Sequence, residues 1–136
     1  MALEILLPQI YEHITTQTQI LALANHKAAD GMIALNYDKH PLAFLLVHRA
    51  GPTADIIDIG TSQSARRRGI ASLMLQHYIK HMAAEQIDTL FLDVAIDNHP
   101  AINLYQKTGF VEIGRRKGYY RRGSGNIDAL MMQFRL

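Results

Sequence analysis

The feature that most constrains this chain is the run DIIDIGTSQSARRRGIASLMLQHYIKHMAAEQIDTLFLDVA, residues 55–95. Residues 55–61 and 89–95 (TLFLDVA) each read as a strand. Between them Ile70, Leu73, Met74, His77, Tyr78 and Met82 recur at helical spacing, making one apolar face on a helix from about 67 to 84. Strand, helix and strand in this order imply a parallel pair with a right-handed crossover, because the helix must return the chain to the edge where it started. Strand 89–95 is nearly continuous in apolar residues, so it is expected to be covered on both faces.

The flanks predict antiparallel additions. Residues 32–37 and 42–48 read as a hairpin around Asp38-Lys39-His40-Pro41, and a second turn at 50–53 leads into 55–61. Upstream, 9–25 reads as one helix, with Ile10, Ile14, Ile20, Leu21 and Leu23 roughly on the helical period. Downstream, Asn98 fits an N-cap, Pro100 is tolerated in the first turn, and Gly109 ends that helix near Thr108. Residues 110–113 and 129–134 read as a final antiparallel pair around a basic loop. The expected class is α/β (α+β), a mixed and mostly antiparallel central sheet flanked by helices, in one domain over 1–136.

Composition removes several function classes. The 136 residues are 49% hydrophobic and 19% charged, which argues against disorder. There is no cysteine, so disulfide scaffolding, thiolate metal sites and cysteine nucleophiles are excluded. No apolar run is long enough for a membrane helix, and MALEILLPQIYEH has neither a basic n-region nor a small-residue cleavage site; a cytoplasmic protein is expected. His77 and His81 lie one helical turn apart, a zinc-compatible spacing, but no third ligand is evident and no metal is expected.

Net charge is only +2, yet the basic residues are concentrated. Arg66, Arg67 and Arg68 form one cluster, and Arg115, Arg116, Lys117, Arg121 and Arg122 form another. The first stands where a strand passes through a short loop into a helix. The leading N–H groups of a helix lack internal partners and carry partial positive charge, so they bind anions when the backbone can be approached. Gly69 removes a blocking side chain and Ala71 keeps the next turn lean. A basic helix start with a packing glycine would leave the same pattern. Neither GxxxxGK[ST] nor GxGxxG is present, so this is no P-loop and no dinucleotide fingerprint.

On the segment Arg66-x-x-Gly69-x-Ala71 the chain resembles the GNAT superfamily of N-acetyltransferases, whose acetyl-CoA signature is Gln/Arg-x-x-Gly-x-Gly/Ala. The run LFLDVAIDNHPAINLYQKTGF resembles that superfamily's second block, with Asn98, Ala101, Leu104, Tyr105, Gly109 and Phe110 at its spacings. RRKGYYRRGSGNIDALMM resembles the tail of the bacterial ribosomal-protein-alanine N-acetyltransferases, which act on the N-terminal alanine of small-subunit protein S18.

The resemblance implies an acetyl-CoA-dependent enzyme transferring acetyl directly to a primary amine, here a protein N-terminal α-amine. Small-molecule amine or lysine acetylation and a non-catalytic acyl-CoA-binding module remain as alternatives. It implies that the amides of Arg66, Arg67, Arg68, Gly69, Ile70, Ala71 and Ser72 meet pyrophosphate. The backbone of Ile59, Gly60 and Thr61 would pair with pantetheine in a splay between the parallel strands. Tyr105 would protonate the leaving thiolate, and Asn98 would contact the cofactor; a core aromatic and a plain cap are the alternatives. Asp93 would be the general base, where the subfamily usually has glutamate, and burial among apolar neighbours would raise its pKa. A carboxylate tied to a nearby arginine or backbone group is the alternative. Tyr119 and Tyr120 would pack on the acceptor or order their loop. The partner implied is a peptide N-terminus, possibly of a ribosomal protein, and the basic 115–122 loop would either be solvated or touch RNA. Relative to the superfamily, the N-terminal region reads as shortened to roughly one helix and lacks tryptophan.

Overall fold

The structure is a computed structural model that describes residues 2–11 and 14–136. Its elements are α1 (Ala2–Leu6), a 3₁₀ turn (Leu7–Gln9), α2 (Ile14–Ala24), β1 (Ala29–Leu35), β2 (Pro41–Ala50), β3 (Thr53–Thr61), a second 3₁₀ turn (Gln63–Ala65), α3 (Ile70–Ala84), β4 (Thr89–Ala95), α4 (His99–Thr108), β5 (Val111–Arg122) and β6 (Gly125–Arg135). The six strands form one sheet in the order β1-β2-β3-β4-β6-β5. Only β3 and β4 are parallel, and α3 is the crossover between them. The mixed, mostly antiparallel architecture is the one expected.

Each face of the sheet carries its own core. On one face, Met74, Leu75, Tyr78 and Met82 of α3 pack with Tyr105 of α4 against Leu45, Val47, Ile56, Leu90, Leu92, Val94 and Met132. On the other, Leu3, Leu6, Leu7 and Ile20 of the N-terminal segment pack against Phe44 and Leu46. This second layer lies over β1 and β2, with Ile57 of β3 at its margin, and leaves the face of β4 to β6 more open.

Four expectations about the elements are corrected. The helix expected over 9–25 is confined to Ile14–Ala24, and a further short helix, Ala2–Leu6, precedes it, so the N-terminal region holds more than one helix; residues 12 and 13 of that expectation lie outside the described residues. Pro8 sits in the 3₁₀ turn, and the amides of Ile10 and Tyr11 both bond back to the Leu7 carbonyl, which closes the turn. Helix α3 starts at Ile70, not 67, because Arg67 and Gly69 hold left-handed backbone with φ of 65° and 73°. Strand β4 is covered on one face only: Leu90, Leu92 and Val94 are buried, whereas Phe91 and Asp93 are half-buried beside a cavity. The basic 115–122 segment is strand, not loop. Pairing with β6 satisfies its backbone, and long charged side chains suit an edge strand, so apolar alternation is not needed there.

Candidate active site

The turn between β3 and α3 leaves a helix start whose first amides have no cap. The extended Arg66 folds back, and its Nε donates to the Thr61 carbonyl at 3.2 Å. Left-handed Gly69 followed by the right-handed helix curls successive N–H groups toward one concavity. The Leu73 amide bonds to the Gly69 carbonyl, so the amides of Ile70, Ala71 and Ser72 precede the first helical bond. No side chain caps this end and no acidic residue stands in the first turn, while three arginines lie just ahead of it. That is the reverse of the charge a helix start prefers, and an anion placed there would offset it. A Cβ added to Gly69 would meet no atom within 4 Å. The glycine therefore serves backbone conformation and open approach, not packing inside the protein.

Beside this turn the parallel pair opens. Pairing of β3 with β4 runs from Thr53 opposite Thr89 to Ile56 opposite Leu92 and then stops. Strand β3 continues to Thr61 against β2 alone, and β4 continues to Ala95 against β6 alone. The cause is visible in the register: Val47 pairs Ile56 but Leu46 pairs Asp58, so Ile57 is an extra, bulged residue. A bulge bends its strand and re-aims the side chains around it. The edge of Ile59, Gly60 and Thr61 facing β4 is thereby left without a β4 partner. A Cβ at Gly60 would lie 2.7 Å from the Phe44 ring and 3.1 Å from Ile10, so glycine here lets the N-terminal segment close over β3.

Just past the last β3–β4 pair, Asp58 of β3 interacts with two phenols, Tyr11 and Tyr105. Tyr105, 6% exposed, belongs to the α3/α4 core and packs edge-on against Phe110 at 5.6 Å. Burial raises its pKa well above the ordinary phenol range, and the charge of Asp58 raises it further, so the hydroxyl stays protonated and neutral. Asp58 lies opposite Leu46, a residue of the other core, and so projects from the opposite face of the sheet. The Tyr11 hydroxyl donates to Asp58 Oδ2, and the Ile59 amide donates to Oδ1 at 2.9 Å. Both bonds favour the carboxylate, yet burial outweighs them and raises its pKa. Tyr11 is in turn held protonated, by burial first and then by Asp58.

On the Asp58 face lies a cavity of about 430 Å³ whose lining includes Asp55, Ile57, Asp93, Arg116, Tyr119 and Tyr120. Asp93 is 26% exposed and pairs with Arg116, whose Nε lies 3.2 and 3.3 Å from its two carboxylate oxygens. It is therefore a carboxylate tied to a nearby arginine, not one surrounded by apolar groups alone. Three residues of β5, Lys117, Gly118 and Tyr119, bulge out opposite Asp128, whose Oδ1 accepts from the Gly118 amide at 2.9 Å. This turns the Tyr119 and Tyr120 rings, edge-on at 5.0 Å, toward the cavity. The Arg116 guanidinium lies 5.6 Å from the Tyr119 ring, and the Tyr120 hydroxyl reaches the Asp93 carbonyl at 3.5 Å.

Comparison with known proteins agrees with this geometry. Residues 2–110 match the acetyltransferase (GNAT) family. The chain belongs to the GNAT family of acetyltransferases. It is 31% identical over 100 residues to the [ribosomal protein bS18]-alanine N-acetyltransferase of Salmonella typhimurium, covering 74% of this chain and 68% of that protein. The Escherichia coli protein of the same name is 31% identical over 90 residues, covering 66% of this chain and 61% of its own length. An N-alpha-acetyltransferase of Saccharolobus solfataricus is 35% identical over 78 residues, 57% of this chain and 45% of that protein. The crystal structure of the ribosomal-protein-S18-alanine N-acetyltransferase from Escherichia coli superposes with a TM-score of 0.86 at 22% identity, over 98% of this chain and 85% of that one.

Within this GNAT fold, the residues singled out from sequence converge unevenly. Gly69, Ile70, Ala71 and Ser72 form the turn at the helix start, beside the stretch of Ile59 to Thr61 that no β4 residue pairs; there the Ile59 amide already donates to Asp58 and the Thr61 carbonyl accepts from Arg66. Asn98 is the N-cap of α4, its Oδ1 accepting from the Ala101 amide at 3.3 Å. Asp93, Tyr119 and Tyr120 gather at the cavity, whereas Tyr105 lies in the α3/α4 core, outside the cavity lining but close enough to Asp58 and Tyr120 to feel their charge. His77 and His81 are exposed, His81 pairs with Glu85 at 3.6 Å, and no group of potential metal ligands occurs among the described residues. Sequence reasoning missed Tyr11 and Asp58. The only signal was a carboxylate between the isoleucines of β3.

Proposed function

We propose that this protein transfers acetyl from acetyl-CoA directly to a primary amine, and that the amine is a protein N-terminal α-amine. One observation carries the reading: an uncapped, arginine-flanked helix start lies at the mouth of a parallel strand pair that opens after Ile56 and Leu92, with the neutral Tyr105 phenol beside the opening. The residues fit acetyl-CoA. The amides of Ile70 to Ser72 would hold pyrophosphate, and the β4-facing edge of Ile59 to Thr61 would take the extended arm as an added strand. When bound, acetyl-CoA supplies the activated acetyl group. Tyr105 supplies the proton for the departing sulfur, and the rest of the acceleration comes from holding donor and acceptor on either side of the opening.

The acceptor enters from the cavity face. Asp55 and Asp93 offer carboxylates to an ammonium, Arg116 orients Asp93, and Tyr119 and Tyr120 offer ring faces to a peptide backbone. The names of the bacterial and archaeal relatives favour an α-amine acceptor. The test is incubation with acetyl-CoA and a library of N-terminal peptides, read by thiol release and product mass. Acetylated α-amine on alanine-leading peptides is expected. Transfer confined to lysine side chains or polyamines would reject the acceptor, and CoA binding without turnover on any amine would reject the enzyme.

A further inference from the structure

We propose that Asp58, held by Tyr11, is the group that takes the proton from the acceptor ammonium, and that Asp93 serves to orient the acceptor. This rests on the acetyltransferase reading. Tyr105 stands on the α3/α4 side of the opened strand pair, and Asp58 projects from the other side, the one that carries the acceptor cavity. A thioester lying in the opening would thus have its proton donor on one side and a proton acceptor on the side from which the amine arrives. Asp93 lines the cavity and Asp58 sits behind the lining, next to Ile57, but Arg116 contacts both Asp93 oxygens. Both Asp58 oxygens receive weaker neutral donors, the Tyr11 hydroxyl and the Ile59 amide.

The surroundings of Asp58 suit the task. The titratable groups of the described residues that interact with it are Tyr11 from the N-terminal segment, Tyr105 from α4 and Tyr120 from β5, all phenols; no cation is among them. A carboxylate that burial has made more basic is better matched to an amine proton than one neutralised by a guanidinium. The bulge at Ile57 is what aims it. Without the extra residue, the side chain of position 58 would move to the other face of the sheet.

The proton balance closes. The acceptor ammonium gives one proton to Asp58, and the freed lone pair forms the C–N bond at the acetyl carbonyl. The C–S bond breaks with its electron pair leaving on sulfur, which Tyr105 protonates. The surplus proton of the new amide nitrogen returns to the Tyr105 oxygen, and Asp58 releases its proton to solvent.

The test compares kcat/KM against pH for wild type, Asp58→Asn and Tyr11→Phe on one alanine-leading peptide, with CoA affinity measured alongside. Asp58→Asn is expected to lower kcat/KM by roughly 10²- to 10⁴-fold, the range of general-base catalysis, and to leave CoA affinity within about twofold. Tyr11→Phe keeps the carboxylate and the apolar ring but removes a donor to the ionised form, so its acid limb should move to higher pH while its plateau stays within several-fold of wild type. The peptide amine titrates identically in both profiles, so any displacement belongs to the enzyme. Asp58→Asn retaining activity within about threefold, or an unmoved acid limb in Tyr11→Phe, overturns the assignment while leaving the acetyltransferase intact. Wild-type protein that acetylates no amine overturns the underlying reading, and this one with it.

Discussion

Replacing Gly69 with alanine separates the cost of a strained backbone from the cost of a blocked ligand. Gly69 holds φ of 73°, and an added Cβ would meet no protein atom within 4 Å. The stability penalty is therefore conformational alone, about 1–2 kcal/mol for a non-glycine residue in left-handed backbone. For a chain of this length that lowers Tm by roughly 4 °C per kcal/mol. Gly123 supplies the internal control: its φ is 50°, a Cβ there also meets nothing, and it lies in the β5–β6 turn, far along the chain from the anion-ready loop. Both alanine variants should lose similar stability. Only Gly69→Ala should lose CoA affinity, because its methyl occupies the approach to the amides of Ile70 and Ala71. Losing a hydrogen bond to a charged group costs about 1.5–3 kcal/mol, or roughly 10- to 150-fold in Kd. Calorimetric titration of CoA into both variants, with melting curves in parallel, is the assay. Equal CoA affinity for the two variants would refute the assignment of this turn to pyrophosphate.

Other expectations follow from the same geometry. Tyr105→Phe keeps the ring in its core but removes the proton donor, so kcat should fall roughly 10²-fold or more with CoA affinity almost unchanged; unchanged steady-state turnover would rule out the acid role. Asn98→Ala should lose about 1 kcal/mol through the missing α4 cap, and Asn98→Asp should restore the melting temperature, since it keeps the acceptor; no loss in the alanine variant would show that the cap contributes nothing. The raised pKa of Asp58 means that the folded state binds its proton more tightly than the unfolded state does. Its contribution should therefore make wild type lose stability relative to Asp58→Asn as pH rises above about 4, across the interval between the unfolded and folded pKa values. Thermal melts of both proteins over that interval check the sign, and a relative gain for wild type would contradict it. The raised pKa values of Tyr11, Tyr78 and Tyr105 predict a further loss of stability as pH rises above about 10, where the unfolded chain's phenols ionise first; an alkaline melting profile that stays flat there would contradict it.

What the sequence alone determined is the part of this protein set by local chemistry. The parallel unit at 55–95 follows from strand and helix periods, the cap of α4 from Asn98 and Pro100, and the anion-ready turn from a glycine after three arginines. Tyr105 and the cavity tyrosines are also legible in the sequence, through residues near them in the chain and the family pattern they complete. The tertiary structure alone decided the state of the carboxylates. Asp93 acquires its partner from Arg116, 23 positions away, and Asp58 acquires Tyr11 from 47 positions away. A period-two pattern cannot announce a bulge, because the extra residue at Ile57 shows only when β2 is laid beside β3. Whether a carboxylate is paired with a guanidinium or buried against a phenol depends on what crosses over it, and that is a property of packing between distant segments, not of the residues beside it in the chain.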